Sequence, residues 1–110
     1  MPRDPGLEGL IREDLPDHPA LTEKAMFGGR AWLWNGHLVL GARSDGLLVR
    51  LGKDADGWAL ALPDVARMIS AGRPMSGWVR AGPAAYGDDV LRAQLIEAAL
   101  AFVKRLPPKR

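Results

Sequence analysis

Asn35-Gly36, set between two apolar runs, constrains this chain more than any other pair of residues. A two-residue type I′ turn needs positive φ at both central positions, and Asn-Gly supplies it at little cost. Residues 25–34 and 37–43 therefore read as two strands of one hairpin. Ser44-Asp45-Gly46 reads as a second turn and residues 47–51 as a third strand. Three consecutive strands joined by tight turns make an antiparallel meander.

The flanks carry helical patterns. Asp4-Pro5 has the form of an N-cap followed by proline at the first helical position, with Leu7, Leu10, Ile11 and Leu15 at helical spacing and Pro16 as the stop. Residues 16–22 read as a turn-rich link. Residues 54–62 read as a short helix stopped by Pro63, residues 65–69 as a fourth strand, and residues 77–81 as a fifth. Ala71-Gly72-Arg73-Pro74 supplies turn chemistry between the last two. Asp88 is placed to cap a final helix over residues 89–105, whose Leu91, Leu95, Ala98, Ala99 and Phe102 fall on one face. Such a helix is about 25 Å long at 1.5 Å per residue, enough to cover a small sheet.

At 110 residues the whole chain is expected to form one α+β domain, with helices packed on a sheet. With no cysteine, disulfides, thiolate catalysis and cysteine metal sites are excluded. No apolar run reaches the length of a membrane span, so a cytoplasmic protein with no membrane partner is expected. The net charge of +2 is unevenly spread. Residues 1–23 hold two arginines against six acidic residues, a balance of −4, and the rest of the chain holds +6. The tail from Lys104 to Arg110 carries four of those cations. A basic bias of this kind favours an acidic partner or nucleic acid, set against the plainer reading of a solvated face.

Little in the sequence asks for chemistry. His18 and His37 stand alone, without a partner at catalytic or metal-ligating spacing. Asp88-Asp89 is explained by capping and the helix dipole. Ser44, Ser70 and Ser76 fit no nucleophile elbow. No catalytic residue, metal site or cofactor is expected. Trp32 and Trp34 share a strand face, where core packing competes with base stacking. Met26-Phe27-Gly28-Gly29-Arg30 is the oddest segment, because glycines inside a strand mark a bulge, a bend or a close approach by another backbone or a ligand. It is not a phosphate loop, since no helix follows it.

Several of these segments, taken in order, resemble TfoX (Sxy) N-terminal domains. They are Lys24-Ala25-Met26-Phe27-Gly28-Gly29, the Asn35-Gly36 hairpin, Leu47-Leu48-Val49-Arg50-Leu51, Gly72-Arg73-Pro74-Met75-Ser76-Gly77-Trp78-Val79 and Leu106-Pro107-Pro108-Lys109. The resemblance spans about residues 7–109. It implies a two-layer domain with an antiparallel sheet of about five strands, in the order αβββαββα. It also implies a part in bacterial competence and transcription regulation, without enzymatic activity. The full-length regulators bear a second, helical C-terminal domain, and this chain is expected to be a stand-alone form lacking it. The expected partner surface comprises Met26, Phe27, Gly28, Gly29, Arg30, Arg50, Arg73, Pro74, Met75 and Trp78. The expected partners are an unidentified protein or a second copy in a homodimer. The alternative is a nucleic-acid binder using the basic side and the C-terminal tail.

Overall fold

The computed structural model describes residues 4–26 and 28–107. The chain runs α1 (Pro5–Asp14), β1 (Leu21–Met26), β2 (Gly29–Trp34), β3 (His37–Arg43), β4 (Gly46–Arg50), α2 (Gly57–Leu60), β5 (Val65–Ser70), β6 (Arg73–Ala81), α3 (Pro83–Tyr86) and α4 (Asp89–Lys104). The strands form one antiparallel sheet in the order β1-β2-β3-β4-β6-β5. The fold is α+β as expected, with one strand and one short helix added to the expected order. Among the described residues no helix is long and apolar enough to cross a membrane.

The added strand corrects the reading of residues 25–34 as one strand and of 16–22 as a link. Met26 pairs with Gly29, so the chain reverses between them and two strands stand where one was expected. Gly28 has φ of 77°, which suits this reversal; Phe27 lies outside the described residues. Gly29 is a strand residue whose missing side chain matters. A Cβ there would run into the Ala42 carbonyl oxygen and meet Cγ of Arg43 at 2.6 Å. The Asn35-Gly36 turn is as expected, with φ of 49° and 85°, and Ala71-Gly72 makes a second two-residue reversal between Ser70 and Arg73.

The main core cluster lies on one face of the sheet, because directly paired residues share a face and successive residues alternate. The register aligns Glu23, Trp32, Leu40, Val49, Val79 and Arg67 in one row across all six strands. Its four central members are buried, and helices close over them with Leu7 and Ile11 of α1 and Leu95, Ile96, Ala99 and Val103 of α4. The ends of the row are charged and tied to flanking segments. Glu23 accepts from Arg12 of α1 at 2.7 and 2.9 Å and from the Trp32 indole at 3.2 Å. The Arg12 hydrogen bond outweighs desolvation and holds the Glu23 carboxyl below the usual range.

Both long helices are capped as the sequence suggests, by Asp4 on the Leu7 N–H and by Asp88 on the Val90 and Leu91 N–H groups. The buried stripe of α4 is rotated from the expected face: Arg92, Leu95, Ile96, Ala99, Leu100 and Val103 point inward. Arg92 hides that stripe in the sequence. Its guanidinium is buried because Asp14 (2.7 Å), Asp89 (2.9 Å) and the Tyr86 carbonyl (2.9 Å) all accept from it.

Asp56 closes the other end of the sheet. Its carboxylate is buried, accepts from the Gly77 N–H at 3.1 Å and pairs with Arg67 at 3.3 Å. Burial alone would raise its pKa, but the Gly77 hydrogen bond and Arg67 outweigh it, so the carboxyl is held below its ordinary 3.8. A carboxyl depressed in the folded state stabilises the fold above its unfolded pKa and loses that contribution as pH falls through the folded value. Thermal unfolding of Asp56→Asn should show a Tm below wild type at neutral pH, by about 1–3 kcal/mol in stability. The gap should narrow as pH falls through the acid range below the ordinary 3.8. If Asp56→Asn tracks wild type at a constant offset through that window, the assignment is contradicted.

Candidate functional site

The opposite face of the sheet carries no helix. A groove of about 590 Å³ lies on it, and every residue lining it belongs to a strand or a turn between strands. The floor follows directly from register. Lys24, Ala31, Gly41, Leu48, Arg80 and Ala66 form the row next to the buried one, facing the other way. Cations stand towards both ends of this row, with small and apolar residues between them.

Three methionines, Met26, Met68 and Met75, line the groove together with Trp78 and Ile69. They are three of the chain's four methionines. Thioether side chains are unbranched and polarizable, so they adapt to differently shaped apolar surfaces. Ile69, on the edge strand β5, is 60% exposed.

The groove's charge is organised by Asp45. Its carboxylate accepts from Arg43 (2.7 Å) and Arg80 (3.1 Å), so two guanidinium groups share one acid. The Arg43 hydrogen bond, against desolvation, holds Asp45 below the usual carboxylate range. Desolvation, reinforced by the like charge of Arg43 and opposed by Asp45, lowers the pKa of Arg80. Arg50, paired across strands with Trp78, lies 5.2 Å from that ring and 5.3 Å from the Phe102 ring of α4. It forms no ion pair with a carboxylate among the described residues, and burial lowers its pKa.

The residues singled out in the sequence thus separate. Met26, Arg30, Met75 and Trp78 line the groove, and Arg50 stands beside it on Trp78. The Arg30 guanidinium is directed to Glu23 at 3.6 Å. Gly28 and Gly29 build the β1–β2 reversal, and Phe27 lies outside the described residues. Arg73 and Pro74 are exposed at the β5–β6 reversal and do not line the groove. Sequence reasoning missed Gly41, Arg43, Leu48, Met68 and Arg80. Period-two alternation along β3, β4 and β6 was the signal that would have placed most of them on one face.

The histidines lie elsewhere. His18 stacks on Trp34 with ring centroids 4.5 Å apart, and the Lys104 ammonium makes a cation–π contact with the same ring at 4.9 Å. His37 Nε2 is 2.6 Å from the Pro107 carbonyl oxygen and ties the C-terminal end of the described chain to the β2–β3 hairpin.

Among known protein families, residues 13–103 match the TfoX N-terminal domain. The chain belongs to the TfoX N-terminal domain family. The match covers more than four-fifths of the sequence and takes in the whole sheet, the end of α1 and nearly all of α4. No curated protein and no solved structure matches the chain. Within this TfoX N-terminal domain, the Gly77 of the Gly72–Val79 segment sits where β6 crosses the loop after β4. Its carbonyl accepts from the Leu51 and Gly52 N–H groups at 2.7 and 3.2 Å. The Met26–Gly29 segment makes the reversal that delivers Met26 to the groove's edge.

Proposed function

We propose that this TfoX N-terminal domain is a non-enzymatic regulatory module, of the competence and transcription-regulation type, working in the cytoplasm through protein–protein contacts. The observation that carries the reading is the helix-free groove, where Met26, Met68, Met75, Trp78 and Ile69 stand together on one face. An adaptable apolar surface rimmed by polar groups is the form of a protein-binding site. Nucleic-acid binding is the weaker reading. Trp32 and Trp34, the aromatics best spaced to stack bases, are buried against the helices at 1% and 7% exposure. What remains for nucleic acid is the basic side and the C-terminal tail.

Affinity capture from the source cells at moderate salt, with and without nuclease, separates the readings. Wild-type protein is expected to retain proteins after nuclease treatment, and Met75→Glu, which puts a carboxylate on the groove wall, is expected to lose them. Capture that disappears with nuclease, or that Met75→Glu leaves unchanged, overturns the proposal. Anisotropy titrations with duplex and single-stranded oligonucleotides test the alternative, since phosphate binding is strongest at low salt and falls steeply as salt rises.

A further inference from the structure

The groove's floor is cut deeper than the sheet requires. Gly41 lies at its middle, yet its φ is not among the positive values in the chain, so its backbone does not need glycine. A Cβ at Gly41 would meet Leu48 at an ordinary 3.5 Å. A side chain could therefore start there in ordinary contact with Leu48, and the neighbour across β2 is only Ala31. Small residues at the centre of a sheet face let another element's large side chains, or its backbone, come close.

The helix-covered face shows what such a surface accepts. There α4, about 24 Å long at 1.5 Å per residue over its sixteen residues, packs its apolar stripe on the middle strands. A helix of similar length would cover the groove and complete a third layer. Its charge is set by the groove. The charged groups facing it are Arg43, Arg80 and the acid Asp45, with Lys24 at the outer end of the floor, while the Arg30 guanidinium is turned to Glu23. Asp45 already shows how a carboxylate sits between Arg43 and Arg80.

Among the described residues the chain has no free element of its own that fits. The C-terminal Lys109-Arg110 is cationic and so is Arg3 near the start. The apolar stripes of α1 and α4 are already spent in the core, which leaves a second copy without a free helix face to offer.

We infer that the groove docks an acidic amphipathic helix from another protein, with apolar anchors seated on Gly41, Ile69 and the three methionines and carboxylates facing Lys24, Arg43 and Arg80. This inference rests on the protein-binding reading above and specifies its partner.

The probes are synthetic peptides of about 16 residues: a Leu/Glu amphipathic helix, its twin with every Glu replaced by Lys, and a scrambled Leu/Glu sequence without helical period. Methionine-methyl NMR reads the site directly. The acidic helix is expected to shift the Met26, Met68 and Met75 signals. It should bind at least about tenfold more tightly than either other peptide at low salt, with the advantage shrinking as salt screens it. Gly41→Leu, which fills the floor without backbone strain, should weaken binding about tenfold and leave Tm unchanged. Lys24→Glu, at an exposed edge position, should weaken the acidic helix and strengthen its lysine twin, a reversal no packing role produces. Acidic and basic helices binding the groove equally would overturn the inference and leave the protein-binding reading standing. Methionine shifts that depend on protein concentration without peptide would overturn it in favour of a second copy. Acidic-helix binding that leaves the methionine signals unmoved, or no binding at all, also overturns it. The broader reading falls with it only if cellular capture also disappears with nuclease or is left unchanged by Met75→Glu.

Discussion

Gly77→Ala is expected to cost about 3 kcal/mol or more and to lower Tm by about 10 °C or more in a domain of this size. Gly77 has φ of 87°, where an alanine pays about 1–2 kcal/mol for the left-handed conformation alone. The larger cost is contact. A Cβ would lie 2.5 Å from the Gly52 carbonyl carbon and 2.7 Å from the Lys53 nitrogen. Both are backbone atoms, so no rotamer change relieves the overlap. The two segments are also held together, because the Gly77 carbonyl accepts from Leu51 and Gly52 while its N–H donates to buried Asp56. Gly72→Ala is the control. Its φ is similar, 79°, but a Cβ there meets nothing within 4 Å. It should lose only the conformational penalty. Denaturant midpoints of the two variants, compared at equal m, measure the close approach by difference. Equal losses at the two glycines would refute this account of position 77.

Trp32→Ala is expected to remove about 3–5 kcal/mol, as truncation of a fully buried tryptophan generally does. Domains of this size have about 5–15 kcal/mol in all, so the variant should be largely or partly unfolded at room temperature. Trp32 is 1% exposed and sits between Glu23 and Leu40 in the buried row, under the helices. Its indole also anchors Glu23, which pairs with Arg12 of α1. Truncation therefore leaves a cavity and loosens the contact that draws α1 to the edge strand. Trp32→Phe keeps much of the volume and loses the indole hydrogen bond, and should cost about 1–2 kcal/mol. A urea titration that finds Trp32→Ala within about 1 kcal/mol of wild type would show that this side chain does not organise the core.

The same geometry changes what can be learned at Gly29. Gly29→Val would test a partner's approach only if the position tolerated a side chain, and here Ala42 and Arg43 already occupy that space. Loss of binding in such a variant would report unfolding. Gly41, where a Cβ would make only ordinary contacts, is the glycine that separates interaction from stability.

The legible parts of the fold were those in which a local rule and the tertiary arrangement agree. Asn35-Gly36 dictates its own turn, and Asp4 and Asp88 cap the helices they precede. The β1–β2 reversal was hidden for two reasons. Edge strand β1 exposes Thr22, Glu23, Lys24 and Ala25, so it lacks the alternation of a half-buried strand. Its two glycines also divide between a turn and a strand position, which adjacent letters do not reveal. The stripe of α4 was misplaced because Arg92 interrupts it, and an arginine reads as solvent-facing unless its acids are known. Of the groove, Met26, Met75 and Trp78 stood out as residues. Gly41, Arg43, Met68 and Arg80 did not, because their meaning lies in which strands become neighbours.

Local sequence is enough for the class of the domain, the family it resembles, the Asn35-Gly36 hairpin, the helix caps and the absence of cysteine chemistry. Each of these rests on residues close together in the chain, where backbone sterics and short-range hydrogen bonds decide. The tertiary structure decided which face of the sheet is buried and which is left open. It did so through cross-strand register that joins residues far apart in the chain, as the row from Lys24 to Arg80 shows. A one-residue change of register would exchange the two faces, turning the methionine groove inward and Trp32 outward. That choice is fixed by the energy of burying Trp32, Leu40, Val49 and Val79 together under the helices, a sum over the whole sheet that no local pattern contains.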